Sequence, residues 1–244
     1  MGRGGQSGAS DSGAGRRGDP EISPPFLGPF RDRPESAFYA SGRLTPQETF
    51  NAAEENIRAG LIGVRNRFPG RRLRMDHERL TRYHRSIFGK LFTEFEGAGR
   101  YRQGHEPTQF AVPVRRPSKW TAEAVRGSPY DHIRSELNEV FAAWDARIDQ
   151  AQGRRIPPRE ALLAVAELYT GILRIHPFVD GNHRASFMTY AAAMWSFDIP
   201  MVRFRDAEEM RAHDRAVAPA LLPDQRDSRP FAGLLLKRSE AARS

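Results

Sequence analysis

The chain has 244 residues, a formal net charge of +8 and 39% hydrophobic content, enough for one domain with a core plus a tail or two. It has no cysteine, which excludes disulfides and thiolate metal sites, and no apolar run approaches the roughly 18 residues of a membrane span. Arg carries nearly all the positive charge, since Lys occurs only as Lys90, Lys119 and Lys237, so a general preference for Arg accounts for the balance as well as an acidic partner does.

Residues 1–35 are rich in Gly, Ser and Pro and predict a disordered tail. Its five Arg are matched by five acidic residues, so it is no basic arm and nucleic acid is not an expected partner. Met1 to Gly18 lacks the apolar centre of a signal peptide. The expectation is a soluble cytoplasmic protein, or one delivered elsewhere by a route this sequence does not reveal.

Thr45-Pro46-Gln47-Glu48 predicts a helix start, with Thr45 as cap, Pro46 in the first turn and Glu48 closing a capping box. Phe50, Ala53, Ile57, Leu61 and Val64 continue a helical stripe until Pro69-Gly70. Asp76 predicts the cap of a second helix, whose apolar face is Leu80, Tyr83, Ile87, Phe88, Leu91, Phe92 and Phe95. Gly97, Gly99 and Gly104 interrupt helical structure, and the β-like run from Gln109 to Val114 predicts a small hairpin. Helical period resumes near Tyr130 and runs through Ile148, followed by a loop from Gly153 to Pro158. Glu160 to Ile175 is apolar on most sides, as a central buried helix is. A further helix is predicted from about Asn182 to Phe197, and one final amphipathic piece after Asp206. The predicted fold class is all-α: a helical bundle with one short β-hairpin. Its expected division is a tail over 1–35, a domain over 36–200 and a helical extension over 201–244.

The chemistry concentrates between the two central helices, in His176-Pro177-Phe178-Val179-Asp180-Gly181-Asn182-His183-Arg184. Pro177 disfavours helical geometry at His176 and ends the first helix. Asp180-Gly181-Asn182 is turn chemistry, and the next helix begins there with unpaired N–H groups, a ready anion site. One segment thus offers a base (His176), a hard-cation ligand (Asp180), an anion nest (Gly181, Asn182) and a fixed cation (Arg184), the parts that phosphate chemistry needs.

This segment resembles the Fic-family signature His-x-Phe-x-Asp/Glu-Gly-Asn-Gly-Arg and departs from it at one defined position, His183. His84 to Arg102 resembles the family helix that ends in a Gly-Lys/Arg-Tyr-Arg turn, and Thr108 to Pro113 falls where the family has a flap hairpin. The resemblance spans roughly residues 45–200 and implies a Fic-type bundle that transfers AMP from ATP to a Ser, Thr or Tyr hydroxyl of a target protein. By position it implies His176 as general base, Asp180 as ligand of Mg²⁺, and Gly181 and Asn182 as donors to the α-phosphate. It places His183 at the same phosphate nest and Arg184 on the β-phosphate. Gln109, Phe110 and Ala111 would hold the target segment as an added strand. An antitoxin is a further partner that the resemblance implies.

Two departures bear on the reaction. The family's longer signature ends in a second Arg, where this chain has Phe187. The related Doc toxins lack that Arg and the second motif Gly, and act as kinases; they carry Ala where Gly181 stands. Gly181 therefore points to AMP transfer, while His183 and Phe187 leave the kinase reading open. Asn51-Ala52-Ala53-Glu54-Glu55-Asn56 approximates the family's inhibitory helix but departs at its first position, and Phe187 removes the usual partner of Glu55. Two other readings stand beside these: a transition-metal site of His176, Asp180 and His183, and a catalytically inactive Fic fold that only binds a partner or nucleotide.

Overall fold

A computed structural model describes residues 46–67, 72–89, 98–104, 109–115, 120–151, 156–204 and 206–241. Among these, the chain order is α1 (Pro46–Arg67), α2 (His77–Phe88), β1 (Gln109–Arg115), β2 (Trp120–Arg126), α3 (Ile133–Gln150), α4 (Pro158–Ile175), α5 (Asn182–Ser196), α6 (Ala207–Leu221) and α7 (Arg229–Ala241). The predicted tail and the Thr45 cap lie outside the described residues.

Helices α4 and α5 form the centre because their sequences leave no polar face wide enough to meet water. Leu162, Val165, Leu168, Tyr169, Ile172 and Leu173 of α4 are buried, and α5 is buried almost throughout its length. Helix α4 touches α3, α5, α6 and α7, while α5 also meets α1 and α2. Burying each large apolar side chain of this kind stabilises the fold by about 1.5–3 kcal/mol. The approach of α1 to α5 depends on Gly60, where a Cβ would stand 2.6 Å from Met188 Cε. The two central helices are joined only by residues 176–181, so the chemically loaded segment is also the connection at the middle of the bundle.

Local signals placed α2 well at its start. The Asp76 carboxylate accepts from the Arg79 N–H at 2.6 Å, as a capping Asp does. The helix ends at Phe88, with Gly89 as its C-cap; Leu91, Phe92 and Phe95 of the predicted stripe lie outside the described residues. The expected hairpin is present, with Phe110 opposite Val125 and Val112 opposite Glu123. Strand β2 carries no strong sequence signal of its own: in Trp120-Thr-Ala-Glu-Ala-Val125 only Val125 is buried. Helix α6 packs on β1, and the Arg215 guanidinium lies 5.0 Å from the centre of the Trp120 ring.

The single amphipathic piece expected after Asp206 is two helices. Leu222 is extended and followed by Pro223, which stops α6; the Asp227 carboxylate then accepts from the Arg229 N–H at 3.0 Å and starts α7. Both helices close the core over α4. Phe231 and Leu235 are buried, and the Tyr169 hydroxyl meets His213 Nε2 at 3.1 Å. No helix of the described residues is long and apolar enough to cross a membrane.

Candidate active site

Helix α4 ends in a left-handed residue. His176 has φ 54° and ψ 57°, while its N–H still donates to the Ile172 carbonyl at 3.1 Å. A non-glycine residue in this region costs about 1–3 kcal/mol and needs surroundings that hold it there. Arg102 supplies them. Its Nε donates to the His176 carbonyl at 2.7 Å, its Nη2 donates to the Ser128 carbonyl, and its backbone N–H donates to Pro177 O at 2.9 Å. The Ser128 N–H completes the set by donating to Ile175 O at 3.1 Å. These donors satisfy carbonyls that the end of a helix would otherwise leave unpaired. Arg102→Ala is expected to lower stability by about 2–4 kcal/mol, read from the urea midpoint, because buried carbonyls lose a charged donor. Lys at position 102 would restore little of this, since it has no planar fork.

The His176 side chain is set from two other directions. Its ring stacks on Phe110 of β1, with centroids 4.5 Å apart and planes 5° from parallel. Across the backbone stands Gly127, where a Cβ would lie 2.8 Å from His176 Cβ and 2.9 Å from Ile175 O. The imidazole is half-buried, and Gln109 and Ala111 flank Phe110 as exposed positions of the same strand. The structure therefore brings the predicted base and the predicted flap together.

Gly181 is required twice over. It has φ 74°, and a Cβ there would meet Phe88 Cε2 at 2.3 Å and Cζ at 2.6 Å. Asn182 spends its side chain on the loop: Oδ1 accepts from Phe178 N and Nδ2 donates to Phe178 O, each at 2.8 Å. The Asn182 side chain is therefore taken up by the loop itself. Phe178 is fully buried and anchors the turn. The Asp180 carboxylate is half-buried and accepts from the Gly181 N–H. His183 is exposed, and the buried Arg184 guanidinium lies 5.9 Å from the centre of the Phe88 ring. Phe187 is 0% exposed and stacks near Tyr190 at 5.8 Å, so that turn of α5 presents an aromatic core residue where a second Arg would stand. Glu55 is exposed on α1, which docks on α2 through Asn56 Nδ2 to Ile87 O at 2.9 Å.

Among the described residues, no three His, Cys, Asp or Glu side chains gather closely enough to hold a metal ion, so His176, Asp180 and His183 do not form a transition-metal site. A lone carboxylate suits Mg²⁺, which keeps several waters and is bound through one or two carboxylates plus substrate phosphates. Asp180 at the phosphate nest fits that requirement.

One residue outside the signature also meets this loop. His84 on α2 lies behind the loop, with Nε2 2.9 Å from the Asp180 carbonyl and Nδ1 accepting from the Gly99 N–H at 2.9 Å. A carbonyl only accepts and an amide N–H only donates, so the ring is neutral and carries its proton on Nε2. Burial, reinforced by the nearby Arg184 charge, lowers its pKa from 6.5 to about 4. The unfolded chain therefore binds a proton below pH 6.5 that the folded chain refuses until about pH 4. The stabilisation is complete above pH 6.5 and is lost as the pH falls towards 4, a total of about 3 kcal/mol. Buried His213 is shifted in the same direction by desolvation. The urea midpoint is expected to drop across this window, with a smaller drop in His84→Gln.

The Fic/DOC family pattern matches residues 74–194, which hold every element around the loop. The chain contains a Fic domain. Solved structures agree on the fold. A Fic domain containing signalling protein from Bacteroides thetaiotaomicron matches with a TM-score of 0.58 at 16% identity, over 78% of this chain and 69% of that one. The BepC protein of Bartonella tribocorum, a VirB-translocated effector with bound AMPPNP, matches with a TM-score of 0.57 at 19% identity, over 81% and 89%. The N-terminal Fic domain of Bep8 from Bartonella sp. 1-1C matches with a TM-score of 0.57 at 16% identity, over 82% and 88%. A search of the curated proteins finds no match. Arg102, Gly127 and His84 converge on this loop, although none of them belongs to its nine-residue signature.

Proposed function

We propose that the protein transfers AMP from ATP to a Ser, Thr or Tyr hydroxyl of a target protein. One observation carries this reading: His176, Asp180, the start of α5 and Arg184 lie on a single short loop whose backbone is held at both ends. His176 takes the proton of the target hydroxyl, whose oxygen forms a bond to the α-phosphorus as the bond to the pyrophosphate oxygen breaks. The N–H groups at the start of α5 donate to the α-phosphate oxygens, and Arg184 balances charge on the leaving pyrophosphate. Mg²⁺ held by Asp180 would supply neutralisation of the phosphate charge. The target segment adds along the hairpin at Gln109–Ala111, which places its hydroxyl beside the His176 ring. The AMPPNP bound to the neighbour BepC supports a nucleoside triphosphate as donor.

Phe187 favours a second reading, phosphate transfer from a reversed nucleotide, because α5 offers no second Arg one turn beyond Arg184. Incubation with α-³²P-ATP or γ-³²P-ATP and candidate lysate separates the two. Label from the α-position, abolished by EDTA, is the expected result. Label from the γ-position alone would overturn AMP transfer, and no label from either would leave a binding module.

A further inference from the structure

We propose that His84 is a positioning residue for this reaction: by donating from Nε2 to the Asp180 carbonyl, it fixes the peptide whose Gly181 N–H holds the Asp180 carboxylate. The inference rests on the phosphate-transfer reading above and adds a residue outside the signature loop.

Four observations support it. The ring is 1% exposed and stacks on Phe178 at 3.9 Å and 18°, with Phe88 4.8 Å away on a tilted plane, so it cannot rotate. Both ring nitrogens are committed to backbone partners, and neither partner leaves the tautomer open. Packing alone would be served by Phe, since burying an imidazole costs free energy unless its polar atoms are matched. Contact with the site is direct: a Cβ at Gly181 would lie 3.2 Å from His84 Nε2.

The connectivity gives the residue its purpose. Gly99 and Arg102 lie three residues apart in one short segment. Arg102 holds the His176 carbonyl at the start of the loop, and Gly99 holds Asp180 at its end through the His84 ring. The distance between the base and the carboxylate proposed to hold the metal is therefore set from a single short segment beyond α2. Peptide rotation at 180–181 would take the Gly181 N–H away from the Asp180 carboxylate that it holds and leave that carboxylate free to turn, and displacements near 1 Å in such groups cost about 10²-fold in rate.

Three variants test the idea. His84→Gln places a donor near Nε2, His84→Asn places an acceptor near Nδ1, and His84→Phe keeps the ring without either. In His84→Phe, amide hydrogen exchange at Gly181 should rise about ten-fold or more while core amides stay protected. The concentration of Mg²⁺ needed for half-maximal labelling should rise, and kcat should fall about 10–100-fold. His84→Gln should return both readouts to within about three-fold of the parent, and His84→Asn should not. Equal Gly181 exchange in the parent and His84→Phe, or rescue by Asn as good as by Gln, would overturn the proposal. If the Phe variant does not fold, the Gln and Asn comparison decides. A parent that labels nothing would sink AMP transfer, while Gly181 exchange would still judge His84.

Discussion

His176→Ala is expected to lower AMP transfer by about 10²- to 10⁴-fold while the protein stays folded. The imidazole is half-buried and stands beside the exposed part of β1, stacked on Phe110. The stack on Phe110 that the variant loses stabilises the fold by about 0.5–1.5 kcal/mol. The backbone is held by Arg102 through carbonyls, which Ala retains. Circular dichroism melting should therefore place the variant close to the parent, and α-³²P labelling should separate them. Labelling within ten-fold of the parent would assign proton acceptance to another group.

Gly181→Ala should damage both properties. Left-handed geometry at φ 74° costs a residue with a Cβ about 1–3 kcal/mol. The methyl group would also stand 2.3 Å from Phe88 Cε2, and Phe88 is fully buried against the core, so relief requires α2 to shift. Overpacking of this kind adds about 1–3 kcal/mol. The expected loss is about 2–5 kcal/mol in urea unfolding, with transfer reduced about 10²-fold or more, because the shifted helix carries His84 and hence Asp180. Phe88→Leu in the same chain opens the space beside the methyl. The double variant should be more stable than the sum of the single losses, and this non-additivity measures the clash apart from the strain. The Ala that Doc toxins carry at this position does not fit the loop without that shift.

Helices α2, α4 and α5 were legible because their signals are local: a capping Asp76, apolar residues at helical spacing, and the Pro177 break. The loop was legible for the same reason, since its base, carboxylate, turn glycine and cation occupy nine consecutive positions. Strand β2 was not, because Thr121 to Ala124 is exposed or half-buried and owes its extended form to pairing with β1. The division of the last helical piece depended on Pro223 and the Asp227 cap, which lie in the polar stretch from Pro223 to Pro230.

The sequence by itself determined a helical bundle, the first strand of its hairpin and the loop that resembles the Fic signature, since all of these follow from neighbouring residues. Only the tertiary structure decided what aims that loop. His84 lies 96 positions from Asp180 and Arg102 lies 74 from His176, and nothing in either residue's local context marks its partner. Phe187 is buried for a related reason, because α5 is packed at the centre of the bundle. Contacts of this range exist only once α2, the hairpin and the central helices have closed around one another.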